Sequence, residues 1–215
     1  MLTLYMHPLS SFCQKALIAL YENETPFTPH HVDLMDEAQS AAFKTMWPVG
    51  KFPVLRDEAA KRTIPESTTI IEYLAQRYPG PSKLIPDDTE AAFEVRARDR
   101  FYDFNVHVVM QKIIGDRLRP EGQRDKTGVD NARGALHTAL GIAEKDMAAR
   151  TWAAGEAFSM ADGAAAPTLF YVNMAVTPLT GAYPNLAAYL GRLTTRPSYA
   201  RALKEAEPFL KYVPM

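Results

Sequence analysis

Ser10, Ser11 and Cys13 stand together in Leu9-Ser10-Ser11-Phe12-Cys13, and each has a different claim to chemistry. A serine at a helix start can donate its hydroxyl to an anion while the helix dipole adds partial positive charge at the same place. The plainer role is capping, in which the side-chain oxygen accepts a backbone N–H one turn on. Ser10-x-x-Cys13 also has the spacing of a redox Cys-x-x-Cys pair with the attacking thiol replaced. Cys13 belongs to an apolar stripe with Ala16, Leu17 and Leu20 at i, i+3, i+4 and i+7. The expectation is therefore a buried, inert thiol and no thiol–disulfide exchange.

The remaining reactive residue types narrow the chemistry further. A single cysteine excludes an intrachain disulfide and a thiolate-based zinc site, and it fits a reducing compartment. His7, His30, His31, His107 and His137 show no ligand spacing, so no metal is called for. Lys and Arg number 24 against 25 Asp and Glu, and the two signs are interspersed, which argues against nucleic acid as a partner. The run from Met1 to Leu20 lacks a basic leader and is broken by His7, Pro8, Ser10, Ser11, Gln14 and Lys15, so it reads as part of the fold. No run is long and apolar enough to span a bilayer. A cytosolic protein is expected.

These residues need elements to position them, and the chain supplies two kinds. Leu2 to Met6 form a short β-prone run that ends at His7-Pro8, a helix follows from Ser10 or Ser11, and Thr28 to Leu34 form a second extended run. The first 35 or so residues thus predict a parallel βαβ unit. Gly50 to Leu55 is strand-like, Arg62 to Pro65 can be its hairpin partner, and a helix opens at Ser67 with Ile70, Ile71, Leu74 and Tyr78 on one face. The Pro-, Asp- and Ser-rich stretch from Pro79 to Thr89 reads as a linker.

Beyond it the pattern is helical throughout. Phe93, Ala97, Phe101, Phe104 and Val108 keep a helical period, as do Val129, Leu136, Leu140, Ala143 and Met147. Ser159-Met160-Ala161-Asp162 has the spacing of a reciprocal capping box, and Gly163 to Ala175 is apolar on nearly every face, which places that helix at a domain centre. Leu186, Tyr189, Leu190 and Leu193 mark a last amphipathic helix before the break at Arg196-Pro197. The fold class expected is α/β, thioredoxin-like, over 1–79, with a linker over 80–89 and an all-helical domain over 90–215.

Three local motifs in this order resemble the cytosolic glutathione transferases, and the likeness spans nearly the whole chain. Ser10 to Leu20 is similar to the active-site serine and first helix of serine-type classes such as tau and zeta. Pro48-Val49-Gly50-Lys51-Phe52-Pro53-Val54-Leu55 is similar to the loop into the family's cis-proline strand, with Trp47 where the family commonly has Asn. Pro65-Glu66-Ser67 looks like the family's Glu/Gln-Ser step at a helix start, and Phe158 to Asp162 resembles the capping motif of its central helix.

The resemblance implies a role for each motif. Glutathione would be the thiol substrate, with Ser10 stabilising its thiolate. Ser11 is the nearest alternate, because a loop's register is not fixed to one residue, and Tyr5 is the next. Phe52 would bind the cysteinyl backbone through its own N–H and C=O before a cis Pro53. Glu66 and Ser67 would hold the γ-glutamyl end, and Lys51 would neutralise the glycyl carboxylate or stay solvated. Met6, His7 and Leu9, with Phe101, Tyr102, Asn105, Val109 and Met110, form the group expected to line the pocket of an apolar electrophile. The activity implied is conjugation of glutathione to that electrophile. The rivals are a glutathione-dependent cis–trans isomerase of the maleylacetoacetate type and a non-catalytic glutathione- or ligand-binding protein. A homodimer is implied as well.

Overall fold

The structure is a computed structural model that describes residues 1–215. By internal contacts the chain divides into two compact units, Met1–Ile85 with Pro197–Phe209, and Pro86–Arg196 with Leu210–Met215. This differs from the expected assignment of 90–215 to one helical domain, because a helix beyond Arg196 belongs to the first unit.

In the first unit, strands β1 (Leu2–Met6), β2 (Thr28–His31), β3 (Val54–Asp57) and β4 (Arg62–Pro65) form one sheet in the order β2-β1-β3-β4. β1 and β2 run parallel, and β3 runs antiparallel to both β1 and β4. The βαβ unit and the hairpin expected from the sequence are both present. β2 is shorter than expected, ending at His31, and carries Pro29 as an edge strand can.

Alternation along β1 decides what covers each face. Leu2, Leu4 and Met6 are buried on the side of helices α1 (Ser11–Glu22) and α3 (Ser67–Arg77). Tyr5 lies on the other side, in a small cluster with Val32, Phe43, Trp47, Phe52 and Val54. Phe43 comes from α2 (Glu37–Met46), a helix that the sequence reading did not include. The omission has a physical cause: Phe43 is the helix's one buried residue, so there is hardly an apolar stripe to detect. Its clearest sequence sign is Asp36, whose carboxylate caps it by accepting the Gln39 N–H at 2.9 Å.

Helix α9 (Pro197–Ala206) packs on α1. Tyr21 donates to the Glu205 carboxylate at 2.8 Å, Arg201 lies 4.0 Å over the Tyr21 ring, and Ser198 donates to Glu22. The sequence reading stopped at the Arg196-Pro197 break, but Pro at a first helical position starts a helix as readily as it ends one.

The second unit is all-helical: α4 (Thr89–Phe101), a π-helical turn (Tyr102–His107), α5 (Val108–Arg117), α6 (Lys126–Met147), α7 (Met160–Ala175) and α8 (Pro184–Thr195). α7 is its buried centre. The reciprocal capping box is formed, and Asp162 also accepts from Ala153 N–H at 2.8 Å and Tyr189 Oη–H at 2.5 Å. Burial pushes the Asp162 carboxyl above its ordinary value, against these donors, which act the other way.

The periodic set Phe93, Ala97, Phe101, Phe104 and Val108 marks a helix but not its covered face: Phe93 is 67% exposed, Phe104 58% and Val108 38%. The face that packs is Ala92, Val95, Asp99, Tyr102, Val106 and Met110. It escaped a hydrophobicity pattern because it includes a buried acid, Asp99.

Candidate active site

Sheet register brings the three motifs to one place. Tyr5 of β1 stands opposite Val54 of β3, and Val54 stands opposite Pro65 of β4. Because β3 is antiparallel to both neighbours, the residues after Tyr5, those before Val54 and those after Pro65 all run off the same end of the sheet. His7 to Ser10, Phe52-Pro53 and Glu66-Ser67 are therefore neighbouring segments, although up to about sixty residues separate them in sequence.

The first segment is a tight turn into α1. The His7 carbonyl accepts the Ser10 N–H at 3.0 Å, and His7 Nδ1 accepts the Leu9 N–H at 3.2 Å. Gln14 Nε2 reaches back to the Pro8 carbonyl at 2.9 Å, a buried bond that ties turn to helix. Ser10 is the N-cap residue: its carbonyl accepts the Gln14 N–H at 2.9 Å and its Oγ accepts the Cys13 N–H at 3.4 Å. It keeps accessible surface, whereas Ser11 is buried. A capping hydroxyl still has a proton to donate, so the cap is compatible with a second bond to an anion.

Cys13 is fully buried one turn into α1. Burial pushes its thiol up to about 12, outweighing hydrogen bonds with the Ser10 side chain and the His7 backbone. It is a neutral thiol at physiological pH. Tyr5 is half-buried, its ring 4.6 Å from that of His30 and 6.3 Å from Phe43.

The second segment contains the cis Phe52-Pro53 bond. The Phe52 ring stacks 6.3 Å from the His7 ring and contacts Phe43 at 6.4 Å. Lys51, beside it, is exposed. In the third segment Glu66 has φ 70° and ψ 127°, a left-handed conformation that costs a non-glycine residue about 1–3 kcal/mol and recurs where ligands are held. Its side chain makes no cap to α3, and Ser67 is buried at the first helical position. Lys15 donates to Thr68 Oγ1 at 2.8 Å, joining α1 to the first turn of α3. Two helix N-termini thus meet at the end of the sheet, a setting suited to an anionic ligand.

The residues expected around the second substrate divide. Met6, Tyr102 and Met110 are 1%, 3% and 0% exposed. A side chain lining an empty pocket carries accessible surface, so these three are corrected from pocket wall to core. His7, Leu9, Phe101 and Val109 are partly exposed and Asn105 is exposed. Val109 borders an open groove of about 560 Å³ with Lys112, Asp116, Arg119 and the first turns of α6. His7, expected as pocket wall, is held by the turn as an acceptor. Phe209, which the sequence reading did not name, is edge-on to that ring at 4.9 Å. A polar residue three places before the helix N-cap was a readable sign of the turn; nothing in the sequence pairs positions 7 and 209.

A four-stranded mixed sheet with this cis-proline segment, followed by a helical unit, defines a thioredoxin-like, two-part transferase architecture. Residues 4–82 match the family model for the glutathione S-transferase N-terminal domain, and residues 101–197 match that for its C-terminal domain. The chain is 27% identical over 208 residues to glutathione S-transferase GstB of Escherichia coli, covering 94% of this chain and 98% of the relative. It is 30% identical over 181 residues to FtsZ-localized protein A of Caulobacter vibrioides, covering 80% and 77%. A crystal structure of a Methylobacillus flagellatus glutathione S-transferase with glutathione bound superposes with a TM-score of 0.86 at 26% identity, covering 94% and 98%. The chain belongs to the glutathione S-transferase superfamily. At the level of its family it is a glutathione transferase.

Proposed function

We propose that the protein joins the thiolate of glutathione to small apolar electrophiles, with the Ser10 hydroxyl and the N-terminus of α1 stabilising that thiolate. The supporting observation is the position of Ser10: it caps α1, retains accessible surface, and stands at the sheet end where the cis Phe52-Pro53 and Glu66-Ser67 segments also emerge. A thiol with a pKa near 8.5 is mostly protonated at neutral pH, and each unit of depression requires about 1.4 kcal/mol of preferential binding to the anion. One donated hydrogen bond to a charged acceptor, together with a helix terminus, supplies energy of that size.

The other contacts follow the same chemistry. Phe52 offers its backbone to the cysteinyl unit, Glu66 accepts from the γ-glutamyl ammonium, and Ser67 with the first N–H groups of α3 binds the neighbouring carboxylate. In this reading Lys51, which is exposed, neutralises the glycyl carboxylate. The barrier then falls through a stabilised nucleophile and through holding two reactants together.

A homodimer is part of this reading. The exposed apolar stripe Phe93, Phe104 and Val108 is a face that a second copy would cover.

Steady-state assays with chlorodinitrobenzene, a hydroperoxide and maleylacetone test the substrate class. Conjugation of the aryl halide, abolished or strongly reduced in Ser10→Ala, supports the reading. Turnover of maleylacetone alone would replace it with the isomerase, and glutathione binding with all three substrates inert would replace it with a binding protein.

A further inference from the structure

His7 does more in the turn than occupy a corner. Its carbonyl accepts the Ser10 N–H at 3.0 Å while its Nδ1 accepts the Leu9 N–H at 3.2 Å, so both acceptors of one residue fold the segment that delivers Ser10 to the helix. An imidazole nitrogen that accepts an N–H carries no proton, which fixes the ring as the neutral tautomer protonated at Nε2. The i to i+2 bond is the one an Asx turn makes from an Asn or Asp side chain. The ring is held from two sides, edge-on by Phe209 at 4.9 Å and stacked by Phe52 at 6.3 Å.

We propose that His7 is a positioning residue for Ser10, and that it works only as the neutral imidazole: a proton on Nδ1 would set two donors against each other at Leu9 and release the turn. The inference rests on the reading of Ser10 as the donor to the glutathione sulfur. The groups bearing on the ring favour the neutral state. Burial lowers its pKa first, His31 at the end of β2 lowers it further, and Asp33 in the following loop opposes them. The contacts from the Phe52 segment and from the C-terminal segment are phenyl rings. His7 is therefore neutral at pH 7, and protonation sets in on the acid side of its ordinary value of 6.5.

His7→Phe and His7→Asn separate this role from simple packing. Phe keeps a ring and loses the acceptor, whereas Asn loses the ring and restores a non-titrating acceptor for the Leu9 N–H. The thiol pKa of bound glutathione, read from thiolate ultraviolet absorbance in the binary complex, and the pH profile of kcat/KM are measured for the native protein, both variants and Ser10→Ala. Thermal melts report folding. His7→Phe is expected to lower kcat/KM about ten-fold or more and to raise the bound thiol pKa, and His7→Asn to rescue most of both effects. The acid limb should fall with a slope of about two in the native protein and about one in His7→Asn, because one of two protonations has been removed. A His7→Asn protein as impaired as His7→Phe, or one with an unchanged acid limb, overturns the proposal. So does a His7→Phe protein whose bound thiol pKa is native while Ser10→Ala shifts it. A native value in Ser10→Ala itself instead overturns the reading of Ser10 on which the proposal stands.

Discussion

Val54 stands opposite Pro65 in the β3–β4 hairpin, so the cis peptide before Val54 and the Glu66-Ser67 step after Pro65 leave the sheet side by side. A hairpin register thus sets the two segments proposed to bind the tripeptide next to each other, and register is fixed by which residues face the core. Glu66 is the exposed member, in a backbone conformation that favours glycine. Glu66→Gln is expected to raise KM for glutathione about five- to fifty-fold while leaving kcat within a few-fold, because an ion-paired hydrogen bond to the ammonium becomes a neutral one. Steady-state kinetics with glutathione varied at saturating electrophile check this.

Cys13 carries no chemistry in this account. Its thiol is buried and held near 12. Cys13→Ala should keep kcat/KM within about two-fold, and the folded native protein should react with a maleimide at least ten-fold more slowly than the unfolded chain. Mass-detected labelling measures the second.

Asp57 at the end of β3 is fully buried and accepts from Tyr73 Oη at 2.7 Å, Tyr78 Oη at 2.5 Å and the N–H groups of Ala59 and Ala60. Burial alone would raise its pKa, but the bonds from Tyr78, Tyr73, Ala60 and Ala59 outweigh it and hold the carboxyl at about 2. The folded value lies below the ordinary 3.8, so the stabilisation is complete above that value and is lost as the pH falls toward 2. Asp57→Asn is expected to cost about 1–3 kcal/mol at neutral pH, with the difference from the native protein shrinking below about pH 4. Denaturant titrations across that range decide it.

The exposed stripe on α4 and its continuation predicts the assembly. Phe104→Glu places a charge on the face proposed for a second copy, while Ile142→Glu, on another exposed apolar residue in α6, serves as the control. Light scattering should give a monomer for the first and a dimer for the native protein and the control. A native monomer would contradict the assignment.

How much of this was legible in the sequence depends on how each element is stabilised. β1, α1, the hairpin and α3 were readable because their apolar residues recur at the period of the element and Ser10, Pro53 and Ser67 punctuate them. α7 was readable because Ser159 and Asp162 announce its start and its middle is apolar all round. α2 was not, since a helix that buries only Phe43 is set by its Asp36 cap and by the sheet it covers. α4 was readable as a helix while its covered face was not, because periodicity reports an apolar stripe without reporting what lies against it. The candidate site was legible as three motifs and illegible as a geometry. The turn made by His7, the contact of Phe209 and the core positions of Met6, Tyr102 and Met110 depend on tertiary packing that residue types do not encode.

The central claim is that a capping hydroxyl on α1 lowers the proton affinity of the bound sulfur. Ultraviolet titration of the glutathione complex measures that affinity without any electrophile present. The account predicts a bound thiol at least about one unit below the free value of roughly 8.5 in the native protein, and a return most of the way toward it in Ser10→Ala with the tripeptide still bound. Equal thiol pKa values for glutathione bound to native protein and free in buffer would contradict it.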